Sequence, residues 1–226
     1  MMSFIIYFAL IMIIPIWAQS KVKKTYKKYS QVPTSSSMSG AEVARKILDD
    51  NGLYDVSVEE VRGHLTDHYD PRSKVIRLST DIFHGRSTAG AAVAAHEVGH
   101  AIQDAQDYAF LRFRSAMVPV ASFGSNISIF LIIGGFLLGM AQLAFVGIIF
   151  FAAAVLFQLI TLPVEIDASN RAMSQLVSTG VIRNDEERKT KKVLNAAAMT
   201  YVAGALVALA ELLRFVFMFM GMNSEE

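Results

Sequence analysis

Three long stretches of this chain contain no Asp, Glu, Lys or Arg, and their lengths set the reading of the rest. A helix needs about 20 largely apolar residues to cross a hydrocarbon core of about 30 Å at a rise of about 1.5 Å per residue. The first stretch, Met1 to Ser20, is rich in Ile, Leu and Phe and carries Trp17 where an interfacial aromatic would sit. The second runs from Ser115 to Val164. At helical rise it is about 75 Å long, which predicts two spans and a tight turn, placed at Gly139-Met140-Ala141-Gln142. The third, Val193 to Ala210, resumes after Glu211 and Arg214 with Phe215 to Met222 and predicts a fourth span. Glu211 and Arg214 lie three residues apart and read as a mutual ion pair or as the end of that span.

Between the spans the pattern changes. Gln31 to Gly40 reads as a flexible linker, and Ser39-Gly40-Ala41-Glu42 has the spacing of a capping box, so a helix is predicted from there to a stop at Asn51-Gly52. Val56 to Val58, His64 to Tyr69 and Lys74 to Ser79, with a turn at Asp70 to Ser73, predict a hairpin-like arrangement. An alanine-rich run from Ala89 to Ala101, with Ser87 or Thr88 as N-cap, predicts another helix. Pro163 reads as a first-turn residue of a helix opening on Glu165 to Ala172. The domain reading is therefore a transmembrane helix at 1–20, an α+β segment at 21–114, two transmembrane helices within 115–164, a helical segment at 165–192 and a fourth transmembrane helix at 193–222.

Composition and charge agree with a membrane protein. At 53% hydrophobic and 18% charged, with mean hydropathy +0.40, the chain is too apolar for a soluble domain of this size. Twenty-one basic against 20 acidic residues leave no surplus to neutralise phosphates, which argues against nucleic-acid binding. Lys and Arg number 14 in residues 20–114 and 6 in residues 165–192, and Arg214 is the remaining one. The positive-inside rule then places both segments in the cytoplasm and both termini outside, in a multi-pass protein of the cell membrane. Lys21, Lys23, Lys24, Lys27 and Lys28 follow the first apolar stretch rather than precede it, which favours an uncleaved anchor over a signal peptide, with the lysines at the lipid headgroups. The expected fold class is an α-helical integral membrane protein of about four transmembrane helices with a small α+β cytoplasmic portion. The chain has no cysteine, so thiolate metal sites and cysteine nucleophiles are excluded.

The predicted alanine-rich helix contains His96-Glu97-Val98-Gly99-His100. Histidines four apart share a helix face and can reach one zinc ion, with the glutamate beside the metal's open position. With five His and ten Glu in the chain, chance would supply about 0.005 copies of this motif. A catalytic zinc takes a third protein ligand. Gln103 and Gln106 occupy the positions where one extended form of the motif requires Gly and His, so a distant carboxylate is needed, and Glu165 is the strongest candidate. Small residues on both predicted helices, Ala91 to Ala95 and Gly99 on one, Ser169 and Ala172 on the other, would let them pack closely. Asp104, four residues after His100, could accept a ligand imidazole's second N–H. Val75, Ile76, Arg77 and Leu78 are expected to form a strand that holds an extended peptide by main-chain bonds. His64, His68, His84, Tyr69, Asn170 and Arg171 are candidate oxyanion stabilisers.

Together the His96 to His100 motif, the Asp67-His68-Tyr69-Asp70-Pro71 hairpin, and Glu165-x-x-Ala168-Ser169 after a pair of spans resemble the YugP-type neutral zinc metallopeptidases of bacterial membranes. The resemblance covers nearly the whole chain. It implies a bacterial, membrane-embedded, gluzincin-like peptidase with one Zn²⁺ per chain, His96, His100 and Glu165 as ligands and Glu97 as the catalytic residue. The site plan is also similar to that of the HtpX and CAAX-prenyl-protease type of membrane peptidase, whose ligand helix reads Glu-x-x-x-Asp. Ser169 stands at that Asp position here, so the acid's supporting role is absent or passes to Asp167. The expected activity is hydrolysis of peptide bonds in membrane proteins or peptides at a cytoplasm-facing site. The alternative readings are a non-catalytic membrane zinc-binding adaptor and a transport protein. A homo-oligomer or a membrane partner is left open by the sequence.

Overall fold

The computed structural model describes residues 2–222, so the first residue of the first predicted span lies outside the described residues. In chain order the elements are α1 (Met2–Tyr29), α2 (Gly40–Asp50), β1 (Ser57–Val61), β2 (His68–Asp70), β3 (Val75–Ser79), α3 (Thr80–His84), α4 (Thr88–Ala105), α5 (Ala109–Leu137), α6 (Ala141–Ser178) and α7 (Asn184–Met222). Four of these, α1, α5, α6 and α7, are long and apolar enough to cross a membrane. The chain divides into two compact units. Among the described residues one comprises 2–15, 109–163 and 201–222, the other 16–108 and 164–200.

The first unit is helical and turns its large apolar side chains outward, among them Phe130, Leu137 and Phe217, as a lipid-facing surface does. Inside it Ile132, Ile148 and Phe215 form a small core, with Phe151 edge-on to Phe215 at 5.4 Å. A Cβ on Gly135 would fall 2.3 Å from the Ala144 amide nitrogen, so only glycine permits the close approach of α5 and α6 beside their turn. Gly139 makes that turn with φ +65. The Arg214 guanidinium binds Glu211 through Nη2 at 2.6 Å and Nε at 3.0 Å, so the charges expected in the fourth span are paired with each other.

The second unit is built on α2 and α4. Ser39 and Glu42 form the expected capping box, with the Ser39 amide donating to Glu42 Oε2 at 2.7 Å and the Glu42 amide to Ser39 Oγ at 3.3 Å. The apolar face of α2, Val43, Ala44, Ile47 and Leu48, is buried against a core that includes most of the alanines of α4. The strands form one sheet in the order β1-β3-β2. The expected hairpin is the antiparallel pair β2–β3, and its turn is held by the Asp70 carboxylate, which accepts from the Ser73 hydroxyl at 2.6 Å and the Arg72 amide at 3.0 Å. Those two bonds lead the effects that hold the Asp70 carboxyl down at about 2. β1 adds to the other side of β3 in parallel, a pairing that the sequence pattern does not announce. Asp67 ends the crossing segment by accepting from the Ser79 amide at 2.7 Å and its hydroxyl at 3.0 Å, and burial raises its pKa.

Three expectations are corrected. Residues Val75 to Leu78 are not an exposed edge: β3 is the central strand, its main chain is taken by β1 and β2, and Val75, Ile76 and Leu78 are buried. Residues 31–40 are not a free linker. Their main chain bonds to α4 through the Thr88 amide and the Val32 carbonyl at 2.7 Å, and Ser35 donates to Glu186 from its amide at 2.9 Å and its hydroxyl at 2.6 Å. Glu186 is a buried carboxylate in the first turn of α7 and also accepts the Arg183 amide, so it needs these donors. Finally, Pro163 does not start a helix but lies inside α6, which carries the apolar stretch and Glu165 in one element.

Candidate metal centre

Helix α4 begins at Ser87, whose hydroxyl accepts the Gly90 amide at 3.1 Å, and its small residues allow α6 to approach. At Gly99 a Cβ would lie 2.5 Å from the Ala168 carbonyl oxygen, so the contact between the two helices requires this glycine. That contact sits between His96 and His100 on one helix and three residues beyond Glu165 on the other.

The consequence is a cluster of three donors. Glu165 Oε2 lies 3.2 Å from His96 Nε2 and 3.6 Å from His100 Nε2, and the possible ligand atoms of all three residues fall within 4.8 Å of one another. Two ligands held at about 2.0–2.1 Å by a tetrahedral zinc are about 3.3–3.4 Å apart, close to the separations of Glu165 from each histidine. His100 and Glu165 are buried and His96 is partly open. Burial alone would favour neutral His100, but the Glu165 and Glu97 carboxylates outweigh it and raise its pKa. Burial would likewise raise Glu165, but the His100 and His96 imidazoles overcome it and hold the carboxyl well below the usual range.

The outward nitrogens of both imidazoles are held. His96 Nδ1 lies 3.2 Å from Ser169 Oγ, so the serine four residues after Glu165 touches this histidine directly. His100 Nδ1 lies 3.0 Å from Gln103 Oε1. The Gln103 amide nitrogen donates to the Val164 carbonyl at 2.8 Å and to Asp167 Oδ2 at 2.8 Å, which fixes its oxygen toward the histidine. His100 then donates from Nδ1, so that in its neutral form the lone pair lies on Nε2, the nitrogen nearer Glu165. Arg171 Nε completes the chain on Asp167, while its Nη1 donates to Gln106 Oε1 at 2.6 Å and its guanidinium lies 5.7 Å from the Tyr108 ring.

Asp104 is not the imidazole's acceptor. It takes the Tyr69 hydroxyl at 3.0 Å and so ties β2 to α4. Gln103, completely buried, has the role expected of Asp104. Its signal in the sequence is a polar residue three positions after His100 inside an otherwise apolar helix. Asp167, Ser169 and Arg171 are brought to the cluster; His68 is exposed and engages the Thr66 carbonyl at 2.8 Å. His64 and His84 pair with Asp81 and Glu60 on the surface. Arg77 bridges Glu59 and Asp70 across the sheet. Glu97, between the two histidines, is 8% exposed.

The family model described as "Putative neutral zinc metallopeptidase" matches residues 4–220. The chain is 56% identical over 209 residues to the "Putative membrane protease YugP" of Bacillus subtilis (strain 168), a match covering 92% of this chain and 93% of that protein. No solved structure matches. A motif of two histidines and a glutamate, a third donor brought from 65 residues beyond His100, and a family match over nearly the whole length lead to one assignment: the chain belongs to the neutral zinc metallopeptidase family and is a multi-pass membrane protein.

Proposed function

We propose that the protein is a membrane-embedded zinc endopeptidase that hydrolyses peptide bonds of membrane proteins or peptides at a site on the cytoplasmic face. The observation that carries this reading is the convergence of His96, His100 and Glu165 with Glu97 seated between the histidines. Three donors leave a fourth position for water or substrate, whereas a structural zinc would fill it, so an adaptor is the weaker reading. Bound there, zinc supplies a Lewis acid that polarises a scissile carbonyl and makes water acidic enough to attack near neutral pH. Glu97 accepts the water's proton on a carboxylate oxygen and returns it to the leaving amine. Gln103 keeps His100 in the tautomer whose lone pair is on Nε2, and Ser169 orients the His96 ring. The site plan is gluzincin-like. The cytoplasmic placement rests on the excess of Lys and Arg in residues 20–114 and 165–192.

An extended substrate has no access to β3, but β2 ends the sheet and its Tyr69 is tied to the last turn of α4. The outer main chain of His68 to Asp70 is therefore the edge that we assign to substrate pairing.

Elemental mass spectrometry of the protein purified in mild detergent tests the reading first. About one zinc per chain is expected. No zinc, even after the metal is supplied, would remove the peptidase assignment. In the same preparation, Gln103→Met should weaken zinc about 10–100-fold in chelator competition, as loss of a partner behind a ligand imidazole does. Gln106→Ala, which touches Arg171 instead, should leave the affinity unchanged. Equal affinity in wild type and Gln103→Met would detach Gln103 from the metal site.

A further inference from the structure

The second unit contains a basic groove remote in sequence from the metal cluster. Its walls come from α1 and α7, and its cavity of about 540 Å³ is lined by Lys21, Lys24, Lys28 and Lys192, with Thr25 and Asn195 among the other lining residues and no Asp or Glu. Two other lysines of this unit lie against carboxylates, Lys46 with Asp50 at 3.2 Å and Lys74 with Asp55 at 2.5 Å. The groove lysines have no such partner among the described residues. The Lys21 ammonium donates to the Met199 thioether at 3.3 Å and lies 4.8 Å from the Trp17 ring, while Lys28 lies 5.6 Å from the Tyr29 ring. Sulfur and ring faces are weak acceptors for an ammonium, so four cations converge on a space that holds no anion of the protein.

The depth of this groove is legible from the charge pattern. Lys21 is the first charge after the apolar stretch of α1, and Lys192 is the last charge before the uncharged residues 193–210 of α7. Both helices thus pass from headgroup to hydrocarbon at the level of the groove, with Trp17 one turn deeper. A free anion could reach it from water, but only a lipid brings a phosphate to that level with apolar chains to lie along the helices below. We propose that the α1–α7 groove is a binding site for the phosphate headgroup of an anionic phospholipid. Lys21, Lys24, Lys28 and Lys192 take the negative charge, Thr25 and Asn195 offer hydrogen bonds, and the lipid bridges the two helices. This site is independent of the peptidase reading.

The test is lipid retention by the full chain. The protein is equilibrated in detergent with equal amounts of phosphatidylglycerol and phosphatidylcholine, and bound lipid is counted by native mass spectrometry. Wild type should retain phosphatidylglycerol over phosphatidylcholine by about tenfold or more, since each lysine near anionic headgroups contributes about fivefold. The quadruple variant Lys21→Gln, Lys24→Gln, Lys28→Gln, Lys192→Gln should lose this preference. A matched variant outside the groove, Lys23→Gln, Lys27→Gln, Arg188→Gln, Lys191→Gln, should keep it. Circular dichroism confirms that each variant is folded, and the single change Lys192→Glu, expected to lower the preference at least fivefold, serves should the quadruple variant not fold. Equal loss in the groove and matched variants would overturn the site in favour of general surface charge. Displacement of the lipid by millimolar inorganic phosphate in wild type would overturn the lipid in favour of a free-anion site.

Discussion

Glu97→Gln is expected to leave about one zinc per chain in place while lowering peptide hydrolysis by about 10²–10⁴-fold or more, the range a positioned general base contributes. The substitution keeps the side-chain volume and barely alters helix propensity, so α4 and the Gly99–Ala168 contact should be undisturbed. What it removes is the basic oxygen. Glu97 is nearly buried yet is one residue from His96 and three from His100, which places it beside the position that the three donors leave free. N-terminal peptide mapping of whole membranes carrying wild type or variant compares every cleavage at once, so it would reveal those that need this carboxylate whatever the substrate is. Undiminished cleavage in a zinc-loaded Glu97→Gln protein would remove Glu97 from the chemistry.

Glu165→Ala should reduce the bound zinc from about one per chain to nearly none, and abolish hydrolysis with it. Here the effect reaches beyond a lost ligand. Glu165 is 2% exposed and is the shared partner of His96 and His100, so its removal leaves two sheltered imidazoles facing each other at a ring separation of 4.8 Å without the intervening charge. Glu165→Gln separates charge from shape: it keeps the side chain's volume on α6 but replaces an anionic oxygen by a neutral amide. It should also bind zinc far more weakly than wild type. Full zinc content in both variants would show that the third donor lies elsewhere. Circular dichroism of both variants would distinguish loss of the metal from loss of the fold.

The residues behind these effects are unequally visible in the chain. Charge-free stretches reveal four apolar helices because a bilayer dictates length and polarity residue by residue, and the structure has four helices of that kind. The capping box at Ser39 and Glu42 and the cap at Ser87 are equally local, since each depends on a few consecutive residues. The His96-Glu97-x-x-His100 spacing carries its own geometry because a helix returns to the same face after four residues. Elimination among ligand types leaves a distant carboxylate, of which Glu165 is the strongest candidate, and α6 brings it to the pair.

Other features depend on partners far away in the sequence. The order β1-β3-β2 makes β3 central, and alternating apolar residues read the same in a central strand as at an edge, so only strand pairing could show that the edges are β1 and β2 rather than Val75–Leu78. Asp104 and Gln103 both follow His100 within one turn. The choice between them is made by α6, which presents the Val164 carbonyl and Asp167 to a buried amide, while β2 brings Tyr69 to Asp104. The ordering of residues 31–40 likewise needs Glu186, 151 residues from Ser35. Short-range geometry and the solvent thus set the apolar spans, the helix caps and the pair of histidines with their glutamate, and all of these can be read from the chain unaided. The order of the strands, the partners behind the imidazoles and the four-lysine groove follow only from packing, because each is an arrangement of groups that are distant in sequence.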